Sequence, residues 1–167
     1  MKSDLCIYHG NCADGFTAAW VVRNALGEEN VDFVPGFYHI PLHITMNQFF
    51  GNNNEAGAEW YDVIDGYDTV YLVDFSYKRP VLSELAQICK RIVIIDHHKT
   101  AQQDLVDLPA NVECHFDMDH SGAMLTWMYF VKQGAISVYI PGANTDVLQC
   151  NQCQMTFTSM HRYSFSM

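Results

Sequence analysis

TVYLVDFSYKRPVLSELAQICKRIVIIDHH, residues 69–98, sets two β-prone runs on either side of an amphipathic stretch. Thr69 to Asp74 (TVYLVD) and Arg91 to Ile95 (RIVII) are nearly continuous apolar runs, as expected of strands covered on both faces. The first ends in Asp74 and the second runs into Asp96, His97 and His98. Between them Ser76 is placed to cap a helix, Pro80 falls near its first turn, and Val81, Leu82, Leu85, Ile88 and Cys89 share one face. A strand, helix, strand unit of this kind joins parallel strands by a right-handed crossover.

The same alternation continues on both sides. Leu5 to Tyr8 reads as a strand running into a polar loop, and Phe16 to Leu26 (FTAAWVVRNAL) as a helix stopped by Gly27. Val31 to Val34 is a further strand, closed by Pro35 and Gly36. From His39 to Asp68 the chain is aromatic, polar and rich in Asn and Gly, an irregular excursion with one short helix. Val112 to Phe116 is another strand, and Ser121 to Gln133 (SGAMLTWMYFVKQ) a capped apolar helix. The fold class is therefore α/β: a parallel, doubly wound sheet with helices on both faces. This domain is expected over residues 1–133, with residues 134–167 an irregular C-terminal tail.

Composition narrows the function. Nine Lys plus Arg against nineteen Asp plus Glu give a net charge of -10, which argues against a long nucleic-acid duplex as partner. An acidic protein still binds a small phosphate compound if metal ions supply the positive charge. No apolar run approaches a membrane span, and the start, MKSDLCIYHGNCADG, turns polar too early for a signal peptide. With its cysteines mostly inside apolar segments, the chain is expected to be cytoplasmic, where thiols stay reduced.

Parallel sheets bind ligands at the carboxyl ends of their strands. The His9 to Asp14 loop, Asp74, and Asp96 to His98 each fall at such an end, so three distant segments should converge on one rim. Carboxylates and imidazoles together suit Mn²⁺, and to a lesser degree Mg²⁺, Co²⁺ or Zn²⁺. A central carboxylate can bridge two ions about 3.5 to 4 Å apart, an arrangement that phosphoryl hydrolysis needs.

Four blocks occur in order: Tyr8 to Gly15 (YHGNCADG), Val73 to Ser76 (VDFS), Ile95 to Thr100 (IDHHKT) and His120 to Ala123 (HSGA). In order and spacing they resemble the signatures of the DHH phosphoesterases over roughly residues 5–132. That family includes single-strand exonucleases, nano-RNases, cyclic-dinucleotide phosphodiesterases, exopolyphosphatases and manganese pyrophosphatases. The resemblance implies that His9 and Asp74 hold one ion, and that Asp14, Asp74 and His97 hold a second, with Asp74 as the bridge. It further implies that His98 faces the substrate phosphate, that Asp96 orients the histidines, and that Lys99 and Lys78 contact phosphate. The expected enzyme is a Mn²⁺-dependent phosphodiesterase using a two-metal hydroxide mechanism. Its substrate would be a short single-stranded oligonucleotide or a cyclic dinucleotide; self-association into a homo-oligomer is left open.

Two departures from the family pattern stand out. Cys12 occupies the place where the first block usually has an aspartate, and its thiolate is a candidate ligand for a softer metal. A fourth aspartate should follow the Ser121 helix; Asp146 lies at a suitable distance, but in surroundings unlike the family's. Within these 167 residues the C-terminal substrate-binding domain that many members carry is not expected. These departures motivate an alternative, a member of the fold that binds nucleotide or metal without turnover.

Other clusters read as structural. Cys150 and Cys153 with His161 lack a second pair at zinc-ribbon spacing. His39 and His43 flank Pro41 and are expected in a loop; Asp62, Asp65 and Asp68 in a solvated acidic loop. Phe16, Trp20, Trp127 and Tyr129 are expected in the core.

Overall fold

The structure is a computed structural model that describes residues 2–50 and 60–137, with backbone alone for 60–62. Residues 1–136 form one compact unit. Its elements alternate along the chain: β1 (Asp4–His9), α1 (Ala13–Leu26), β2 (Val31–Gly36), α2 (Leu42–Phe50), α3 (Trp60–Asp65), β3 (Thr69–Val73), α4 (Arg79–Ile88), β4 (Arg91–Asp96), α5 (Lys99–Asp104), β5 (Val112–Phe116) and α6 (Gly122–Lys132). The five strands form one sheet in the order β2-β1-β3-β4-β5, and every neighbouring pair is parallel.

Alternation along each central strand sorts the core into two layers. Leu5 and Ile7 of β1, Val70 and Leu72 of β3, and Ile92 and Ile94 of β4 join Leu42, Met46, Ile64, Leu82 and Leu85 from α2, α3 and α4. Cys6, Tyr71, Val73, Val93 and Ile95 point the other way and pack with Ala18, Val21, Val22, Leu125 and Phe130 from α1 and α6. Every residue of β3 is buried, which is why TVYLV shows no polar alternation. Each fully buried Leu, Ile or Val contributes about 1.5–3 kcal/mol. Helices on both faces of a parallel sheet make the doubly wound α/β fold expected from the sequence.

The strand order places β1 between β2 and β3, so successive crossovers leave β1 in opposite directions. At that switch point the carboxyl ends of β1 and β3 lie side by side, the edge at which doubly wound sheets bind ligands. His9 is the last residue of β1, and Asp74 directly follows β3.

Several local expectations need correcting. Ser76 does not cap α4: the cap position is Lys78, without a side-chain bond, and the Arg79 N–H donates instead to Asp104 Oδ2 at 3.1 Å. Ser76 is buried in an extended stretch two residues short of the helix. The excursion after His39 carries two helices, α2 and α3, rather than one. His43 lies in α2, since Pro41 stands just ahead of that helix and its carbonyl accepts from Ile44 and Thr45. Proline interrupts a helix interior but suits its first turn.

Phe16 and Trp20 are not core residues; they are 65% and 43% exposed. The buried positions of α1 are Gly15, Ala18, Ala19, Val21 and Val22, so the small residues face the sheet and α6 and the two aromatics lie on the outer side. Tyr129 is buried as expected, and Trp127 packs partly buried against the same layer.

Among the described residues Cys6, Cys12, Cys89 and Cys114 are free thiols, and burial pushes Cys89 up to about 12. No described helix is long and apolar enough to cross a membrane. Asp146, Cys150, Cys153, His161 and the tail beyond 137 lie outside the described residues, as does the side chain of Asp62.

Candidate metal centre

Four segments deliver the site. β1 ends on His9, α1 carries Asp14 in its first turn, the β3 end turns out Asp74, and the β4 end continues through Asp96 into His97 and His98. α1 starts at Ala13, three residues before the position expected from the sequence. That start puts Asp14 at the positive end of a helix, where a carboxylate is favoured.

Asp74 sits at φ 53, the left-handed region that Asp and Asn tolerate better than other non-glycine residues. This turn ends the strand and leaves the carboxylate facing His9 and His97. Its Oδ2 lies 3.4 Å from His9 Nδ1, and its Oδ1 lies 3.0 Å from His97 Nε2. His97 Nε2 is also 3.7 Å from Asp14 Oδ2. Two groups of potential ligands therefore share Asp74: His9, Asp74 and His98 on one side, and Asp14, Asp74 and His97 on the other. Ligands at right angles around an ion at about 2.1 Å stand about 3 Å apart, close to the spacing here.

Asp74 is 1% exposed, yet among the described residues neither of its oxygens has a hydrogen-bond donor, and His9 Nδ1 is likewise buried without a partner. The 3.0 and 3.4 Å approaches of the imidazoles are contacts without hydrogen-bond geometry. Burial, and then the Asp14 charge, push the Asp74 carboxyl above its usual range; His97, His9 and His98 pull the other way. A buried carboxylate without donors is costly, and a divalent cation offsets that cost directly. The donor set of carboxylate and imidazole fits Mn²⁺, Mg²⁺, Co²⁺ and Zn²⁺ alike.

A second layer holds these groups. Asp96 is fully buried, and its Oδ1 accepts from the backbone N–H of His97 at 2.8 Å and of His98 at 3.3 Å. The same oxygen lies 2.6 Å from His98 Nδ1. An oxygen already taking two N–H groups acts as acceptor there too, so Nδ1 is the donor in this contact. Asp96 thus orients His98 through its ring, and His97 only through its backbone.

Asp14 has two duties. Its Oδ2 accepts from Gly122 N at 2.8 Å and its Oδ1 from Ala123 N at 2.9 Å, capping α6 from a position 108 residues earlier. Gly122 in turn packs against Asp74: a Cβ there would stand 2.4 Å from Asp74 Cβ and Oδ1. The start of α6 is therefore a wall of the site as well as a helix end.

The remaining expected residues are less involved. Cys12 occupies the cap position of α1, half-buried, and belongs to neither ligand group. Lys78 and Lys99 are exposed at the starts of α4 and α5, where the chain leaves β3 and β4. Sequence reasoning missed Tyr38, which sits on the loop after β2. Its ring centroid lies 5.1 Å from that of His9, 5.0 Å from Phe75 and 5.8 Å from His98. Nothing in the sequence distinguishes it from the other aromatics between Phe37 and Phe50. Gly122 had a legible signal, since it follows the capping Ser121, whose side chain accepts from Met124 N.

No family model matches the chain. It is 28% identical over 144 residues to "Uncharacterized protein R106" of Acanthamoeba polyphaga mimivirus, in an alignment covering 82% of this chain and 31% of that protein. The chain thus spans 31% of the length of that curated relative.

Proposed function

We propose that the chain is a metal-dependent phosphoesterase of the DHH type that hydrolyses a small phosphodiester, such as a short oligonucleotide or a cyclic dinucleotide. The observation that carries this reading is the buried, donorless Asp74 carboxylate, with one oxygen toward His9 and the other toward His97 and Asp14. A carboxylate placed between two ligand groups is what a pair of divalent ions requires. When bound, such ions supply neutralisation of phosphate charge and activation of water.

The chain's own residues supply position. Asp74 brings the two groups together, Asp14 is fixed by two backbone amides of α6, and His98 is fixed by Asp96. With its ring held, His98 is available either as a ligand beside His9 or as a contact for a phosphate oxygen. Lys78 and Lys99 add positive charge on the same rim, and Mn²⁺ is the metal that the family resemblance favours. Free cysteines in the core accord with a reducing compartment such as the cytoplasm.

The test is hydrolysis of bis-p-nitrophenyl phosphate with and without Mn²⁺, together with titration calorimetry of Mn²⁺ binding. Metal-dependent turnover is expected. Absence of turnover on any phosphoester by fully loaded protein would end the proposal. One observation favours a second reading, metal or nucleotide binding without hydrolysis: Cys12 stands where the family usually has an aspartate and contributes to neither ligand group. Tight Mn²⁺ binding without product would select it.

Asp96→Asn tests how the site is held. The amide keeps the volume but weakens the bond that orients His98, so activity should fall about 10- to 100-fold. Circular dichroism of the variant should match the parent.

A further inference from the structure

We propose that Tyr38 is the platform on which a base of the substrate stacks, which narrows the substrate to nucleotide phosphodiesters rather than inorganic pyrophosphate or polyphosphate. This rests on the phosphoesterase reading of the same site. Tyr38 lies on the loop just after β2 with its ring against two of the candidate ligands, and the residue is 48% exposed. Its inner side is held by three rings: Phe75 at 5.0 Å, itself fully buried, His9 at 5.1 Å and His98 at 5.8 Å. An aromatic ring fixed in this way loses little freedom when a second ring is laid on its open side.

Orientation of His98 does not account for the residue. The Tyr38 hydroxyl lies 3.3 Å from His98 Nδ1, but that nitrogen is already held by Asp96 Oδ1 at 2.6 Å. The phenol is therefore the longer and weaker of two partners, and packing on Phe75, His9 and His98 still leaves about half of the residue exposed. An apolar face beside a centre for phosphate chemistry suits a substrate that carries a planar base one sugar away from its phosphate. Pyrophosphate and polyphosphate have nothing to place there. Stacking on an aromatic ring is tolerant of base identity, so the preference should be for any base over none.

The experiment compares a dinucleotide with its abasic counterpart on the wild-type protein, Tyr38→Phe and Tyr38→Ala, each loaded with Mn²⁺. For the dinucleotide, Tyr38→Ala should raise KM about 10- to 100-fold and Tyr38→Phe should change it little. For the abasic compound Tyr38→Ala should have a clearly smaller effect, so the difference between the two substrates reads the stacking. Mn²⁺ affinity by calorimetry should be the same in all three proteins. Saturation-transfer NMR on metal-free protein gives a reading that needs no turnover: base protons should receive magnetisation in the wild type and in Tyr38→Phe, and lose it in Tyr38→Ala. Equal losses on both substrates, an unchanged KM for the dinucleotide, or no transfer to the base in the wild type would each overturn the assignment. If wild-type protein hydrolyses no phosphoester but the base still contacts Tyr38, the phosphoesterase reading fails while the stacking site stands.

Discussion

Asp74→Asn is expected to abolish high-affinity Mn²⁺ binding and lower hydrolysis by about 10³-fold or more, while making the metal-free protein more stable. The first half follows from position: Asp74 is the one residue common to both ligand groups. An amide keeps the shape and the left-handed backbone at φ 53, which asparagine tolerates, but cannot neutralise two cations. The second half follows from burial. In the folded state the Asp74 carboxyl group is 1% exposed and, among the described residues, has no donor on either oxygen. Its pKa is raised by burial and by Asp14, so Asp74 favours the fold only when protonated. That contribution is complete below the unfolded pKa and is lost as pH rises through the folded one. Removing the charge should recover about 1–2 kcal/mol, or a few degrees of Tm at about 2–4 °C per kcal/mol. Calorimetric melting of metal-free protein checks this directly. The gain at pH 7 should shrink as the pH is lowered toward about 4, and a variant less stable than the parent at pH 7 would contradict the burial argument.

Gly122→Ala should cost about 10²-fold in activity, with a parallel loss of Mn²⁺ affinity, although the residue bears no functional group. A methyl there would stand 2.4 Å from Asp74 Cβ and Oδ1 and 2.7 Å from Cγ, so either the carboxylate or the start of α6 must move. Moving α6 strains the two amide bonds to Asp14, and moving Asp74 draws it away from His9 and His97. Either route disturbs a ligand group. The helix itself should survive, because alanine is a better helix former than glycine and Ser121 still caps it. Steady-state kinetics and calorimetry, set beside a Gly134→Ala control, isolate the effect. Gly134 has φ 74, so its substitution strains the backbone, but no atom of the described residues lies within 4 Å of a Cβ there. Wild-type metal affinity in Gly122→Ala would show that the contact is not tight enough to position Asp74.

How much of this was legible in the chain varies by residue. The runs TVYLV and RIVII announced buried parallel strands because every residue in them except Arg91 is apolar or β-branched, and the structure pairs them in register from Thr69 with Arg91 to Val73 with Ile95. Asp74 and His97 were legible as site residues because a polar group at the end of such a strand has only the sheet rim to occupy. The burial of α1 was not legible. Phe16 and Trp20 are its largest apolar side chains, yet close approach to the sheet and α6 selected the small residues instead. Composition ranks hydrophobicity, whereas packing selects on size.

The cap of α4 failed for a related reason. Ser76 has the right chemistry, but the bond goes to Asp104 of α5, a partner that only folding brings near.

By itself the sequence determined a parallel α/β sheet and the segments whose ends meet at its rim, because both follow from local patterns of hydrophobicity and from the handedness of crossovers. Only the tertiary structure decided which atoms face one another: the two oxygens of Asp74 toward different histidines, Asp14 on the amides of α6, Gly122 against Asp74, and Tyr38 over His9. Those contacts join residues up to 109 positions apart, at separations from 2.8 Å for the Asp14 bonds to 5.1 Å between the Tyr38 and His9 rings, and no local pattern encodes distances of that kind until the chain has closed around them.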